Sequence, residues 1–318
     1  LGRLSIPRAR ISNASPYPAD ADRSILGYDV RAPSRQAKVV SERKWTMRSR
    51  TPQIVAFGGG GFSMEKDGSL LDDYVLSLAG RAHPRVCFLP TASGDADHYV
   101  VRFYRRFSPD CEASHLSLFR RDQGTGGIEN DLEAHLLAQD LIYVGGGSVV
   151  SMLGAWRAHG LDAVLRKAWR RGIVLCGPSA GSLCWFREAL SEFHGSSTRV
   201  RGLGLLPYSN CVHYDAEPAR RAEYHRFVGD GMRAGFAAED GVALHFHGTG
   251  LERVVASRPE AFAYRVEPAD DGVVETRLDA TYLGAEGAMP GPPAPTRSAL
   301  ASPTFATTAF ARNEPVAV

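Results

Sequence analysis

The chain has 318 residues, of which 44% are hydrophobic and 23% charged, the composition of a globular protein with one large or two small domains. Its formal net charge is +2 with no block of like charge, which argues against a dedicated nucleic-acid surface. The sequence holds neither a run of about eighteen apolar residues for a membrane span nor an N-terminal apolar region for a signal peptide.

Residues 1–46 are rich in Arg, Ser, Pro and Ala without sustained periodicity, and the chain does not begin with methionine. Met47 precedes a first clean strand at Gln53-Ile54-Val55-Ala56-Phe57, so residues 1–46 are expected to be a disordered tail or a spurious extension. Residues 47–286 are expected to form one domain. Residues 287–318, with Pro290-Gly291-Pro292-Pro293-Ala294-Pro295, are expected to be a disordered Pro/Ala-rich tail.

Between those ends strand and helix patterns alternate, which predicts an α/β fold with a mostly parallel sheet flanked by helices on both faces. Strands are predicted at 53–57, 85–89, 141–144, 172–176 and about 209–213. Helices are predicted at about 68–80, 97–107, 129–138, 148–156, 160–170 and 182–190. Later segments at 242–246, 252–256, 261–266 and 273–282 read as a mixed or antiparallel edge. The first glycine turn, Gly58 to Gly61, is not a dinucleotide fingerprint, because the third glycine would fall on Ser63. In Arg102-Phe103-Tyr104-Arg105-Arg106 the aromatics and arginines interleave as on an amphipathic helix.

Asp140-Leu141-Ile142-Tyr143-Val144 runs into Gly145-Gly146-Gly147-Ser148, and Ile173-Val174-Leu175-Cys176 runs into Gly177-Pro178-Ser179-Ala180-Gly181. The second is a Gly-x-Ser-x-Gly turn between a strand and a helix, the pattern of a nucleophile elbow. Small residues must flank such a serine where strand and helix nearly touch, and the Ala180 N–H can face a developing oxyanion. The competing interpretation is a glycine turn in which Ser179 only caps the helix. Both turns lie beyond the carboxyl ends of their strands, where open α/β sheets bind ligands. Downstream, Glu192 follows the serine by thirteen residues, and His213 stands in Cys211-Val212-His213-Tyr214-Asp215 at the mouth of another strand. His194 competes as base, and Asp215 or Glu217 competes with Glu192 as the orienting acid. His245-Phe246-His247 places two imidazoles on one strand face without a third ligand at a recognised spacing. The candidate triad is too closely spaced for an α/β-hydrolase layout, and a serine at the elbow argues against the glutaminase chemistry of class I glutamine amidotransferases, which use cysteine.

The order Gly-Gly-Gly, Gly-x-Ser-Ala-Gly, Cys-Trp-Phe, an acid and then His-Tyr-Asp resembles the peptidase E and cyanophycinase family of serine peptidases, over roughly Pro52 to Leu283. The resemblance implies a class I glutamine amidotransferase-like, flavodoxin-like fold and a serine-type dipeptidase or exopeptidase. Ser179 would be the nucleophile, His213 the base, Glu192 the orienting acid, and the Gly147 and Ala180 amides the oxyanion hole. Ser148, Arg220 and Arg221 would meet the substrate, a short peptide with an acidic first residue. A cyanophycinase-like enzyme, an esterase or a catalytically silent binding relative are the alternatives. No cofactor, metal, nucleic acid or membrane partner is expected, and a homodimer is the assembly considered. Five cysteines without a Cys-x-x-Cys pair read as reduced thiols, which makes the cytoplasm the expected compartment.

Overall fold

The computed structural model describes residues 51–65, 68–119, 131–193 and 195–286. The expectations for residues 1–46 and 287–318, and for His194, fall outside the described residues.

The first half of the domain follows the expected alternation. Gln53–Phe57 (β1) leads to Leu70–Leu78 (α1), Arg85–Leu89 (β2), Asp97–Phe107 (α2) and Glu112–His115 (β3). Leu132–Leu137 (α3), Leu141–Val144 (β4), Val149–Ala158 (α4), Leu161–Arg170 (α5), Val174–Pro178 (β5) and Ala180–Leu183 (α6) complete it. The helices start where local chemistry favours a start. Ser69 caps α1 by accepting the Asp72 N–H at 3.4 Å, and Asp131 caps α3 by accepting the Ala134 N–H at 2.8 Å.

After α6 the chain builds strands where the pattern predicts helix. Phe186–Phe193 (β6) and Ser196–Val200 (β7) form a hairpin, followed by Leu206–Cys211 (β8), Arg220–Gly229 (α7) and Gly235–Ala238 (β9). Val242–His247 (β10), Gly250–Ala256 (β11), Ala263–Ala269 (β12), Gly272–Leu278 (β13) and Thr281–Tyr282 (β14) follow. The expected helix at 182–190 thus lasts one turn. Trp185, Phe186 and Ala189 face the central core while Leu190 faces a separate cluster under α7, which two-sided burial in a sheet allows.

Two sheets result. The larger runs β14-β11-β10-β1-β5-β4-β2-β3, and the smaller runs β13-β12-β9-β8-β6-β7. From β1 through β5, β4 and β2 to β3 every pairing is parallel, and β10 adds to β1 antiparallel. Strands buried on both faces read as continuous apolar runs. In β1, Ile54 and Ala56 face α4, α5 and the smaller sheet, whereas Val55 and Phe57 face α1 and α2. On the second face Phe103 stacks on Phe88 at 4.8 Å and Phe62 fills the space between α2 and the sheet. Burying each such ring contributes roughly 2–3 kcal/mol. The outer face of the smaller sheet is covered by α7 through Tyr224 and Val228. No described helix is long and apolar enough to cross a membrane.

Candidate active site

Ser179 joins β5 to α6 with φ 54° and ψ −117°, a backbone conformation that a residue with a Cβ adopts only at a cost of about 1–3 kcal/mol. Its side chain makes no capping hydrogen bond, although it occupies the N-cap position. The capping interpretation of this serine therefore falls away. The glycines on either side explain how the turn closes. A Cβ on Gly177 or on Gly181 would collide with the Val144 carbonyl of the neighbouring strand. Because α6 is a single turn, it offers Ser179 nearby amide N–H groups rather than a macrodipole.

Across from the elbow lies the turn after β4. Gly145 N–H donates to Leu89 O at 3.0 Å, Gly146 N–H to Tyr99 Oη at 3.1 Å, and Ser148 N–H to Ala92 O at 2.8 Å. Among the described residues Gly147 N–H and Ala180 N–H have no such partner, so both stay available to an incoming oxygen. Gly147 has φ 134°, and a Cβ there would strike the Ala92 carbonyl. A Cβ on Gly146 would come 3.5 Å from Ser179 Cβ, so this turn lines the elbow directly.

His213 follows β8 with φ 53°. Its Nδ1 is 2.6 Å from Asp240 Oδ1, and both side chains are only partly exposed. The backbone ties Ser179 and His213 to the same end of β1. Ser179 N–H donates to Phe57 O at 3.4 Å and His213 N–H to Gly58 O at 3.3 Å, successive carbonyls at the end of β1. Asp240 is carried by the segment between β9 and β10, which crosses over Gly58 and Gly59. A Cβ on Gly59 would overlap Asp240 Oδ1 and come 3.0 Å from His213 Cε1. The glycines after β1 thus make room for a second segment of chain.

The structure does not bring Glu192 to His213. Glu192 lies on β6, half exposed, with its carboxylate 3.7 Å from Arg220. Its alternatives are also engaged elsewhere. Glu217 pairs with Arg220, while Asp215 accepts the Asp240 N–H at 2.8 Å and pairs with Arg258. Asp215 therefore supports the backbone of the carboxylate that meets the histidine. Asp240 was not singled out from the sequence, although an acid before a glycine, between Phe236-Ala237-Ala238 and Val242-Ala243-Leu244, was a usable signal. The order serine, acid, histidine points to the interval between Ser179 and His213, whereas the carboxylate bonded to His213 comes after it.

The residues expected to meet substrate are distributed differently. Ser148 caps α4 and hydrogen-bonds Ser151, next to the free Gly147 amide. Arg220 is buried against Glu217 and Glu192. Arg221 pairs with Glu275 and lies over the Tyr264 ring at 4.9 Å. Neither guanidinium stands ready for a substrate carboxylate. The His245 imidazole is likewise occupied, by Tyr74 Oη at 2.7 Å and Gln53 Oε1 at 3.0 Å.

A strained, uncapped serine beside free amides, at the carboxyl end of a parallel strand, defines a serine hydrolase of the nucleophile-elbow kind. Comparison with known proteins narrows the class. Residues 54–254 match the model of peptidase family S51. The chain is 46% identical over 234 residues to an uncharacterized peptidase, YgaJ, of Bacillus subtilis (strain 168), covering 73% of this chain and 99% of that protein. A crystal structure of a peptidase from an acI-B1 Actinobacterium shares the fold with a TM-score of 0.54 at 17% identity, over 73% of this chain and 96% of that one. The protein belongs to peptidase family S51 and is a serine-type peptidase.

Proposed function

We propose that the protein hydrolyses short peptides through an acyl-enzyme, with Ser179 as nucleophile, His213 as base and Asp240 as the orienting acid. The observation that carries the reading is the suspension of Ser179 and His213 from adjacent carbonyls, Phe57 O and Gly58 O, with His213 Nδ1 already held by Asp240. That bond leaves Nε2 as the nitrogen that takes the Ser179 proton. As Ser179 Oγ bonds to the scissile carbonyl carbon, the carbonyl oxygen gains negative charge and meets the Gly147 and Ala180 amides. Collapse breaks the C–N bond, and His213 returns the proton to the leaving amine. Water, deprotonated by His213, then attacks the ester carbon and releases Ser179.

The substrate is a short peptide without a strong demand for an acidic first residue. Arg220 and Arg221, the cations considered for that task, are both neutralised by glutamates. Five free cysteines, four of them buried, support a reducing cytoplasmic setting. A fluorophosphonate probe tests the mechanism: it should label Ser179, and the label should disappear in Ser179→Ala. Failure of the native protein to react would overturn the proposal. In a dipeptide panel, Asp-x and Ala-x substrates should be cleaved at comparable rates. A strong preference for Asp-x that Arg220→Ala removes would show that Arg220 leaves its glutamates to bind substrate.

A further inference from the structure

Three successive glycines form the turn that offers the Gly147 amide, and glycine loses the most conformational freedom on ordering. Something must hold this turn in one shape before substrate arrives. Two of its three anchoring bonds, Gly145 N–H to Leu89 O and Ser148 N–H to Ala92 O, are backbone to backbone. The third is made by a side chain, Tyr99, whose Oη accepts the Gly146 N–H.

Tyr99 is built for this position. It lies on the buried face of α2, 8% exposed, with its ring centroid 5.3 Å from Phe62 and 5.1 Å from Phe88. From the other side the turn presses against it, since a Cβ on Gly145 would come 3.0 Å from Tyr99 Cε1 and 3.1 Å from the Phe88 ring. Burial pushes the phenol above its usual pKa, so it remains neutral. The peptide unit it holds adjoins the nucleophile, because a Cβ on Gly146 would lie between Ser179 Cβ at 3.5 Å and Tyr99 Oη at 3.9 Å.

We propose that Tyr99 is a positioning residue for the oxyanion-binding turn. Its hydrogen bond to Gly146 N–H fixes the chain on which the Gly147 amide faces the carbonyl attacked by Ser179. The inference rests on the serine-peptidase reading above. It concerns a residue on a helix remote in sequence from every member of the proposed triad.

The test is Tyr99→Phe, which removes one oxygen and keeps the ring. For dipeptide hydrolysis kcat should fall about tenfold while KM stays within about twofold, because the lost contact matters mainly once charge develops on the oxygen. Affinity for a peptide boronate, which places an oxygen in the same hole, should fall by a similar factor. Phe103→Leu, in the same aromatic cluster but without a bond to the turn, should lower the melting temperature and leave kcat near the native value. Unchanged kcat or boronate affinity in Tyr99→Phe, or an equal loss of kcat in Phe103→Leu, would overturn the inference. If Tyr99→Phe does not fold, amide exchange in the native protein decides: Gly146 should exchange much more slowly than Gly147, and equal rapid exchange would refute the anchor. A native protein that neither cleaves dipeptides nor reacts with fluorophosphonate would refute the peptidase reading instead.

Discussion

The two sheets contribute different halves of the site. The larger sheet presents Ser179 after β5 and Gly147 after β4, on neighbouring parallel strands. The smaller sheet presents His213 after β8, and Asp240 follows β9, its neighbour in the same sheet. The first half is set by adjacent strands and tight glycine turns, so its geometry is nearly local. The second must be brought across from another sheet, and the site-bearing ends of the two are joined at Gly58, Gly59 and the crossing segment 238–241. The glycines after β1 serve as the joint between the segments that carry Ser179 and His213.

Breaking the larger sheet's half should have the largest effect. Ser179→Ala is expected to lower kcat by a factor on the order of ten thousand or more, measured by dipeptide turnover. Breaking the smaller sheet's half comes next. Asp240→Asn should cost about a thousandfold to ten-thousandfold, because the imidazole loses its orienting partner and preferred tautomer. Glu192→Gln and Glu217→Gln should stay within about twofold of the native rate, since both face Arg220. A large loss in Glu192→Gln with a small one in Asp240→Asn would reverse the assignment.

The joint itself gives the next effect. In Gly59→Ala the added methyl would overlap Asp240 Oδ1, so the His213–Asp240 pair must move while both sheets remain intact. We expect kcat to drop about tenfold to a hundredfold from this misplacement, with the protein still folding cooperatively. Unchanged turnover would mean that the two halves are not registered there.

The smallest effects sharpen the comparison from the side of stability, and they lie around the larger sheet. Burial, only partly offset by the Arg106 guanidinium and the Tyr143 hydroxyl, pushes Asp72 on α1 up to about 7. Burial, with His247 and Arg253 nearby, pulls His245 on β10 down to about 4. Their signs oppose. The Asp72 contribution is full below about pH 3.8 and is lost as pH rises toward 7. That of His245 is full above about pH 6.5 and is lost as pH falls toward 4. Each is worth on the order of 3–4 kcal/mol, so between pH 4 and 6.5 these two contributions largely offset each other. Denaturation by urea across that range should become steeper, with stability rising with pH, in Asp72→Asn. In His245→Gln the slope should shift in the opposite direction relative to the native protein. Identical profiles for the three proteins would show that neither group is perturbed as its surroundings imply.

Much of the larger sheet could be read from the chain because its information is local. Apolar runs such as Leu141-Ile142-Tyr143-Val144 end in glycine turns, and Gly-x-Ser-x-Gly marks an elbow wherever strand and helix must nearly touch. The smaller sheet was largely illegible. Ser182–Leu190 satisfies a helical apolar pattern as well as it satisfies a strand buried on both faces, and only the parallel partner β8 and the hairpin partner β7 decide between them. Glu192 is affected for the same reason: expected just past the end of that helix, it lies instead on β6, which runs parallel to β8 and turns the carboxylate toward Arg220 rather than His213.

The sequence by itself determined the strand–turn–helix around Ser179 and the glycine run 145–147, because each depends on neighbouring residues, and it carried the resemblance to a serine-peptidase family through an ordered set of motifs from Pro52 to Leu283. Tertiary structure alone decided which carboxylate meets His213 and which cations remain free. Asp240 reaches the imidazole from 27 residues away because β8 and β9 pair in parallel, and Arg220 and Arg221 are neutralised by glutamates on other elements. Such contacts depend on pairing and burial between distant segments, which no local pattern encodes.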